Sequence, residues 1–185
     1  MTISISPSKR LIFRLLMPDN HDAELLFELD QNPNVMHFIN GGKPTSRQEI
    51  SEVFIPRLAS YHSPEKGWGL WGVFERANEE FLGWILVRPM HFFSDQAEYR
   101  NLELGWRFKQ ETWGQGVATE AANQVLTALA KAGVADHFSA IAVKENSASI
   151  AIMKKLGMQF VDTGVHTDPL GDMLVDTYAM PSPRH

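Results

Sequence analysis

Apolar and polar positions alternate, cluster and break in a way that predicts most of the elements of this chain. Residues 9–17 read as a first strand, closed by Pro18-Asp19. Asp19 or Asn20 can cap a helix that runs to about Leu29, with Ala23, Leu26 and Phe27 inward. Asp30 to Pro44, rich in Asn, Gly and Pro, reads as a loop. Thr45 or Ser46 then opens a second helix. Glu49 stands three residues after Ser46, as a capping box requires, and Pro56 is positioned to kink or end the helix.

Three strand-like runs follow, at 68–75, 81–88 and 98–108, the first two joined by a hairpin-type loop. After them Ala121, Val125 and Leu129 share one helical face with Ala122 and Leu126 beside them, which predicts a helix over 121–131 stopped by Gly133. Residues 138–143 are almost without polar side chains, as a strand covered on both faces requires. Ser147 is the expected cap of a helix through Leu156, ended by Gly157. Residues 158–165 and 173–179 read as a closing strand pair, and 181–185 as a disordered tail. The predicted order is β-α-α-β-β-β-α-β-α-β-β, an α/β chain with a mixed sheet and helices on both faces. No internal repeat or linker interrupts it, so residues 1–185 read as one domain with a core over about 9–180.

Composition narrows the function. With 185 residues and 44% hydrophobic content, the chain fits one globular domain. No apolar run is long enough to span a membrane, and the start lacks the basic and apolar blocks of a signal peptide, so the expected location is cytoplasmic. The absence of cysteine excludes a disulfide and a thiolate nucleophile. A net charge of −5 argues against nonspecific nucleic-acid binding, and seven scattered histidines make no metal-ligand spacing.

The stretch that organises the chemistry is Trp113-Gly114-Gln115-Gly116-Val117-Ala118-Thr119-Glu120, set between a strand and a helix. A helix start leaves main-chain N–H groups unpaired at the positive end of the helix dipole, and glycines let a ligand approach them. Such a turn suits a phosphate or pyrophosphate. It lacks the Gly-Lys-Ser/Thr ending of a P-loop, and Thr119 occupies the place of the third glycine of a dinucleotide fingerprint.

Glu103-Leu104-Gly105-Trp106 followed by Trp113-Gly114-Gln115-Gly116-Val117-Ala118-Thr119-Glu120-Ala121 resembles the acetyl-CoA-binding motif of the GNAT superfamily of N-acetyltransferases. The similarity is greatest to the branch of RimJ and RimL, the ribosomal-protein alanine N-acetyltransferases. Asn146-Ser147-Ala148-Ser149 leading to Lys154-Lys155-Leu156-Gly157-Met158, and the early Asn32-Pro33-Asn34-Val35-Met36, resemble further motifs of that branch. The resemblance runs from about residue 9 to about residue 180.

The resemblance implies the GNAT fold, in which the fourth and fifth strands (here 98–108 and 138–143) splay apart to admit the pantetheine arm of CoA. It implies acetyl-CoA as cosubstrate, without a metal, held by Arg107, Phe108, Trp113, Gly114, Gln115, Gly116, Val117, Ala118, Thr119 and Asn146. It implies direct acetyl transfer to an amine acceptor, either a protein N-terminus or a small molecule, and a possible homodimer. Met36, His37 and Phe38 would border the acceptor pocket.

Glu103 is the candidate base, with a salt-bridged or solvated strand glutamate as the competing reading. Ser149 is a candidate acid toward the leaving thiol, or a hydroxyl bonded to its own backbone, and Asn146 is a cosubstrate contact or a helix cap. Trp113 stands where many members carry Arg or Gln. Met153 stands where many carry a Tyr acid, which leaves room for a noncatalytic acyl-CoA-binding module as the alternative.

Overall fold

The computed structural model describes residues 1–185. Seven strands form one sheet: β1 (Leu11–Leu15), β2 (Gly69–Glu75), β3 (Phe81–Met90), β4 (Glu98–Phe108), β5 (His137–Ala142), β6 (Gln159–His166) and β7 (Met173–Pro181). Their order is β1-β2-β3-β4-β5-β7-β6. Every neighbouring pair is antiparallel except β4 and β5, which run parallel.

The alternation of side chains along β3 and β4 sorts the core into two layers. Ile85, Val87, Leu102, Leu104 and Phe108 pack with Val125 and Leu129 of α5 (Val117–Lys131) and Met153 of α6 (Ser147–Lys155). On the other face Leu86 packs with Leu26 and Leu29 of α1 (Asn20–Leu29), Val35 of α2 (Pro33–Asn40), and Leu58 and Tyr61 of α4 (Ile55–Tyr61). A substituent on one face thus meets α5 and α6, and on the other α1 to α4.

Four local expectations change. The stretch expected as a loop contains α2. Asn32 accepts from the Asn34 N–H as its N-cap, Pro33 occupies the first turn, where the missing N–H costs nothing, and Gly41 closes the helix at φ 81°. The second predicted helix is divided: α3 (Arg47–Glu49), capped by the Ser46–Glu49 box, runs through a π turn (Ile50–Phe54) into α4. The wider turn lies immediately before Pro56, whose ring removes one helical donor. The cap of α6 is Asn146, not Ser147. Finally, β7 extends to Pro181, which pairs with His137, and Ser182 N–H donates to Asp136 O at 2.7 Å, so the first tail residues are ordered by β5.

Candidate active site

The parallel ladder between β4 and β5 holds only at Asn101–His137, Leu102–Phe138 and Glu103–Ser139. β4 continues beside β3 as far as Phe108, so residues 104–108 have a strand partner on one side alone. The two strands separate there, and the main-chain groups of β4 directed toward β5 are left outside the sheet ladder.

At the end of β4 the chain turns through residues 109–116 into α5. Gly114 and Gly116 stand at φ 73° and 72°, the left-handed region, and Gly116 is the N-cap of α5. No side chain caps the helix, and the N–H groups of Val117, Ala118 and Thr119 have no backbone acceptor. A Cβ on Gly114 would meet open space, so its glycine is required by backbone conformation rather than by crowding. Beside the turn lies a cleft of about 510 Å³ lined by Gly116, Thr119, Glu120, Asn123, Lys155 and Leu156.

The expected residues are not all free to meet a ligand. Val117 and Phe108 are buried in the α5 layer. The Phe108 carbonyl accepts from Trp113 Nε1 at 3.1 Å, and the rest of the Trp113 ring is exposed. Gln115 Nε2 donates to Glu111 O at 2.8 Å. The side chain of Arg107 lies on the opposite face of the sheet, where Nη1 donates to buried Asp30 at 2.8 Å and the guanidinium lies 5.0 Å from the Trp84 ring centre. Its side chain is therefore withdrawn from the turn. Asn146 Oδ1 accepts from Ser149 N–H at 3.2 Å as the α6 cap. The Ser149 hydroxyl oxygen accepts from Trp106 Nε1 at 3.1 Å, which leaves its own hydrogen to donate. Met153 is buried in the core between the sheet and α5.

Glu103 stands on the α1–α4 face, at the last rung before the strands part. It is directly opposite Arg88 in the β3–β4 register, and Arg88 Nε donates to Glu103 Oε1 at 3.1 Å. Both are buried. Desolvation, the largest single influence, would lower the Arg88 pKa, but the charge and hydrogen bond of Glu103, with Tyr61 and the charge of Asp168, together outweigh it and raise the pKa. The Arg88 guanidinium also lies 5.4 Å from the Tyr61 ring centre and 5.3 Å from that of Phe93. Burial pushes the Tyr61 phenol up.

A second pair closes this face. Arg57 of α4 donates to Asp168 at 2.6 Å, tying the β6–β7 connection to α4, with Phe93 under the guanidinium at 4.0 Å. Burial opposes ionisation of Asp168. Hydrogen bonds from Arg57 and Leu170 N–H, with the charges of Arg57 and Arg88, outweigh it and hold the carboxyl below the usual range.

Arg88, Arg57 and Asp168 were not singled out by the sequence. A lone arginine after the apolar run Trp84-Ile85-Leu86-Val87 was the available signal for Arg88. Among the residues expected at the acceptor side, Met36 is buried within α2, whereas Phe38 is exposed and meets His37 edge-on at 4.7 Å. Phe92 and Phe93 pack edge-on against Tyr61.

Residues 10–159 match the family model described as the acetyltransferase (GNAT) domain. The chain belongs to this family. It is an acetyl-CoA-dependent N-acetyltransferase. It is 30% identical over 167 residues to the FsC-acetyl coenzyme A-N(2)-transacetylase of Aspergillus fumigatus, covering 88% of this chain and 69% of that one. It is 26% identical over 155 residues to the uncharacterized N-acetyltransferase YoaA of Bacillus subtilis, covering 84% and 82%. Among solved structures, a GNAT-family acetyltransferase of Bacillus anthracis superposes with a TM-score of 0.72 at 22% identity, over 98% of this chain and 99% of that one. RimL, a ribosomal-protein alpha-N-acetyltransferase in complex with coenzyme A, has a TM-score of 0.72 at 17% identity, over 96% and 97%. Both show the same fold as this GNAT member. No helix of the chain is long and apolar enough to cross a membrane.

Proposed function

We propose that this acetyltransferase joins its two substrates from opposite faces of the sheet, through the opening between β4 and β5. The observation that carries this reading is the three-rung ladder that ends at Glu103, with the uncapped start of α5 on one face and the Arg88–Glu103 pair on the other. On the α5 face, the N–H groups of Val117, Ala118 and Thr119 and the glycine turn would receive the pyrophosphate of acetyl-CoA. Lined by main chain and open at Gly114, the turn fits such a group. Bound acetyl-CoA supplies a thioester carbonyl open to attack by an amine.

The acceptor is a primary amine, of a protein N-terminus as in the RimJ/RimL branch or of a small molecule. It approaches on the α1–α4 face and attacks without a covalent enzyme intermediate. Positioning of the two reactants supplies the largest share of the rate, as much as about 7–11 kcal/mol in well-oriented reactions. Glu103 takes the proton of the amine, directly or through water, and Arg88 fixes the orientation of its carboxylate. The Ser149 hydroxyl, with its oxygen held by Trp106, donates toward the departing thiol. A thiol of this kind has a pKa near about 8.5, so the acid assists rather than governs.

The test is a panel of peptides and small amines assayed with acetyl-CoA, with initial rates measured while each substrate is varied. Intersecting lines support a ternary complex; parallel lines would require a covalent acetyl-enzyme and overturn the direct route. Folded protein that binds acetyl-CoA yet acetylates no member of a broad panel would favour a noncatalytic acyl-CoA sensor.

A further inference from the structure

Arg10 precedes β1 in the chain, and its side chain reaches the glycine turn more than a hundred residues away. Its Nε donates to Glu120 Oε2 at 2.7 Å, and its Nη1 donates to the Gln115 carbonyl at 3.0 Å. Its main-chain N–H donates to Glu120 Oε1 at 3.0 Å, and Ser8 Oγ donates to the same oxygen at 2.8 Å. These contacts fix the plane of the guanidinium. Its third nitrogen, Nη2, has no acceptor in the protein. It lies 3.8 Å from the point where a Cβ on Gly116 would sit, and the side chain is 43% exposed.

The carboxylate of Glu120 lies in the first turn of α5 and lines the same cleft as Gly116. Unpaired there, it would repel an anion. Arg10 and Ser8 engage both its oxygens. Burial works to raise the Glu120 carboxyl, but the bonds from Ser8 and Arg10 outweigh it and hold it below the usual range.

We propose that Arg10 completes the phosphate site: Nη1 holds the Gln115 carbonyl in the turn, Nε neutralises Glu120, and Nη2 is presented to a phosphate of the cosubstrate beside Gly116. A guanidinium suits this threefold task, since its planar fork can serve three acceptors at once, whereas the single ammonium of lysine cannot reach all three. The inference rests on the reading of the glycine turn as a pyrophosphate site.

The test compares wild type with Arg10→Ala and Arg10→Lys using two donors, acetyl-CoA and S-acetylpantetheine, which lacks the nucleotide and its phosphates. Calorimetry of wild type with acetyl-CoA comes first. Binding there secures the underlying reading, and its absence would remove that reading and the role of Arg10 together. Given binding, Arg10→Ala should raise the KM for acetyl-CoA about tenfold, the scale of one lost charge-assisted hydrogen bond. The KM for the acceptor and the kcat/KM for S-acetylpantetheine should stay at wild-type values. Arg10→Lys should recover only a minor part of the loss. If Arg10→Ala lowers the melting temperature with acetyl-CoA KM unchanged, or impairs both donors equally, Arg10 is a structural staple between the N-terminal arm and α5, and the proposal fails.

Discussion

The indole N–H of Trp106 donates to the hydroxyl oxygen of Ser149 across 3.1 Å, linking the part of β4 that has left its ladder to the first turn of α6. An oxygen that accepts from an indole has its own hydrogen left to give, which is the orientation an acid needs. Ser149→Ala should lower kcat by about 100-fold, the lower end of the range for a general acid, with the KM for acetyl-CoA little changed. Trp106→Phe, which keeps the ring and removes the donor, should lose a smaller part. Unchanged kcat in Ser149→Ala, measured at saturating substrates, would mean that water protonates the thiol.

Glu103 and Arg88 face one another across β3 and β4 in a buried ion pair, so replacing either has two consequences. Glu103→Gln should destabilise the fold by up to about 3–5 kcal/mol, because it leaves the Arg88 charge without its partner. It should also lower kcat by about 100-fold or more at a temperature where circular dichroism shows the variant folded. A folded Glu103→Gln enzyme with wild-type kcat would confine Glu103 to the ion pair.

Arg57 and Asp168 hold the β6–β7 connection against α4, on the face proposed above for the acceptor. Loops set acceptor choice more than the sheet beneath them does. Arg57→Ala should therefore raise the acceptor KM about fivefold, the equivalent of about 1 kcal/mol for a partly exposed pair, and leave the KM for acetyl-CoA unchanged. Bisubstrate kinetics separate the two constants, and an equal rise in both would indicate general loosening instead.

Stability in acid should depend on Asp22. Burial alone would raise its carboxyl, but hydrogen bonds from Arg14 and Met17 N–H, with the charge of Arg14, outweigh burial and hold it below the usual range. The folded state thus binds this proton less readily than the unfolded chain does. Its contribution is complete above the ordinary carboxylate range, near about pH 4, and is lost as pH falls through the lowered value. Melting curves recorded from about pH 3 to about pH 7 should show Asp22→Asn with a lower melting temperature at neutral pH and a flatter acid limb. An acid limb of wild-type steepness would assign the effect to other carboxylates.

Much of this architecture was legible because local rules decided it. β4 was expected at 98–108 and lies there, and the Ser46–Glu49 box caps its helix. The missed α2 has a physical explanation: Asn32-Pro33 and Gly41 were read as loop residues, but the same types punctuate a short helix at its start and end. The helix after the turn was expected from Ala121, where its apolar stripe begins, and starts at Val117, because Gly116 turns the chain at positive φ. The site was less legible. Arg107 lies on the expected strand, yet the alternation of β4 directs its side chain to Asp30, on the other face. Arg88–Glu103 depends on strand register, Arg57–Asp168 and Arg10–Glu120 on contacts far apart in sequence, and no local pattern encodes any of them.

The most direct test of the central claim is calorimetric titration of acetyl-CoA into wild type and Gly116→Asp. Asp tolerates the left-handed conformation at this N-cap better than most residues, and it sets a carboxylate before the free N–H groups of α5. The account predicts micromolar binding by wild type, lost in Gly116→Asp while its melting curve stays close to that of wild type. Equal affinity in the two folded proteins, or no binding by wild type, would contradict the assignment of the glycine turn as the place where the cosubstrate pyrophosphate is held.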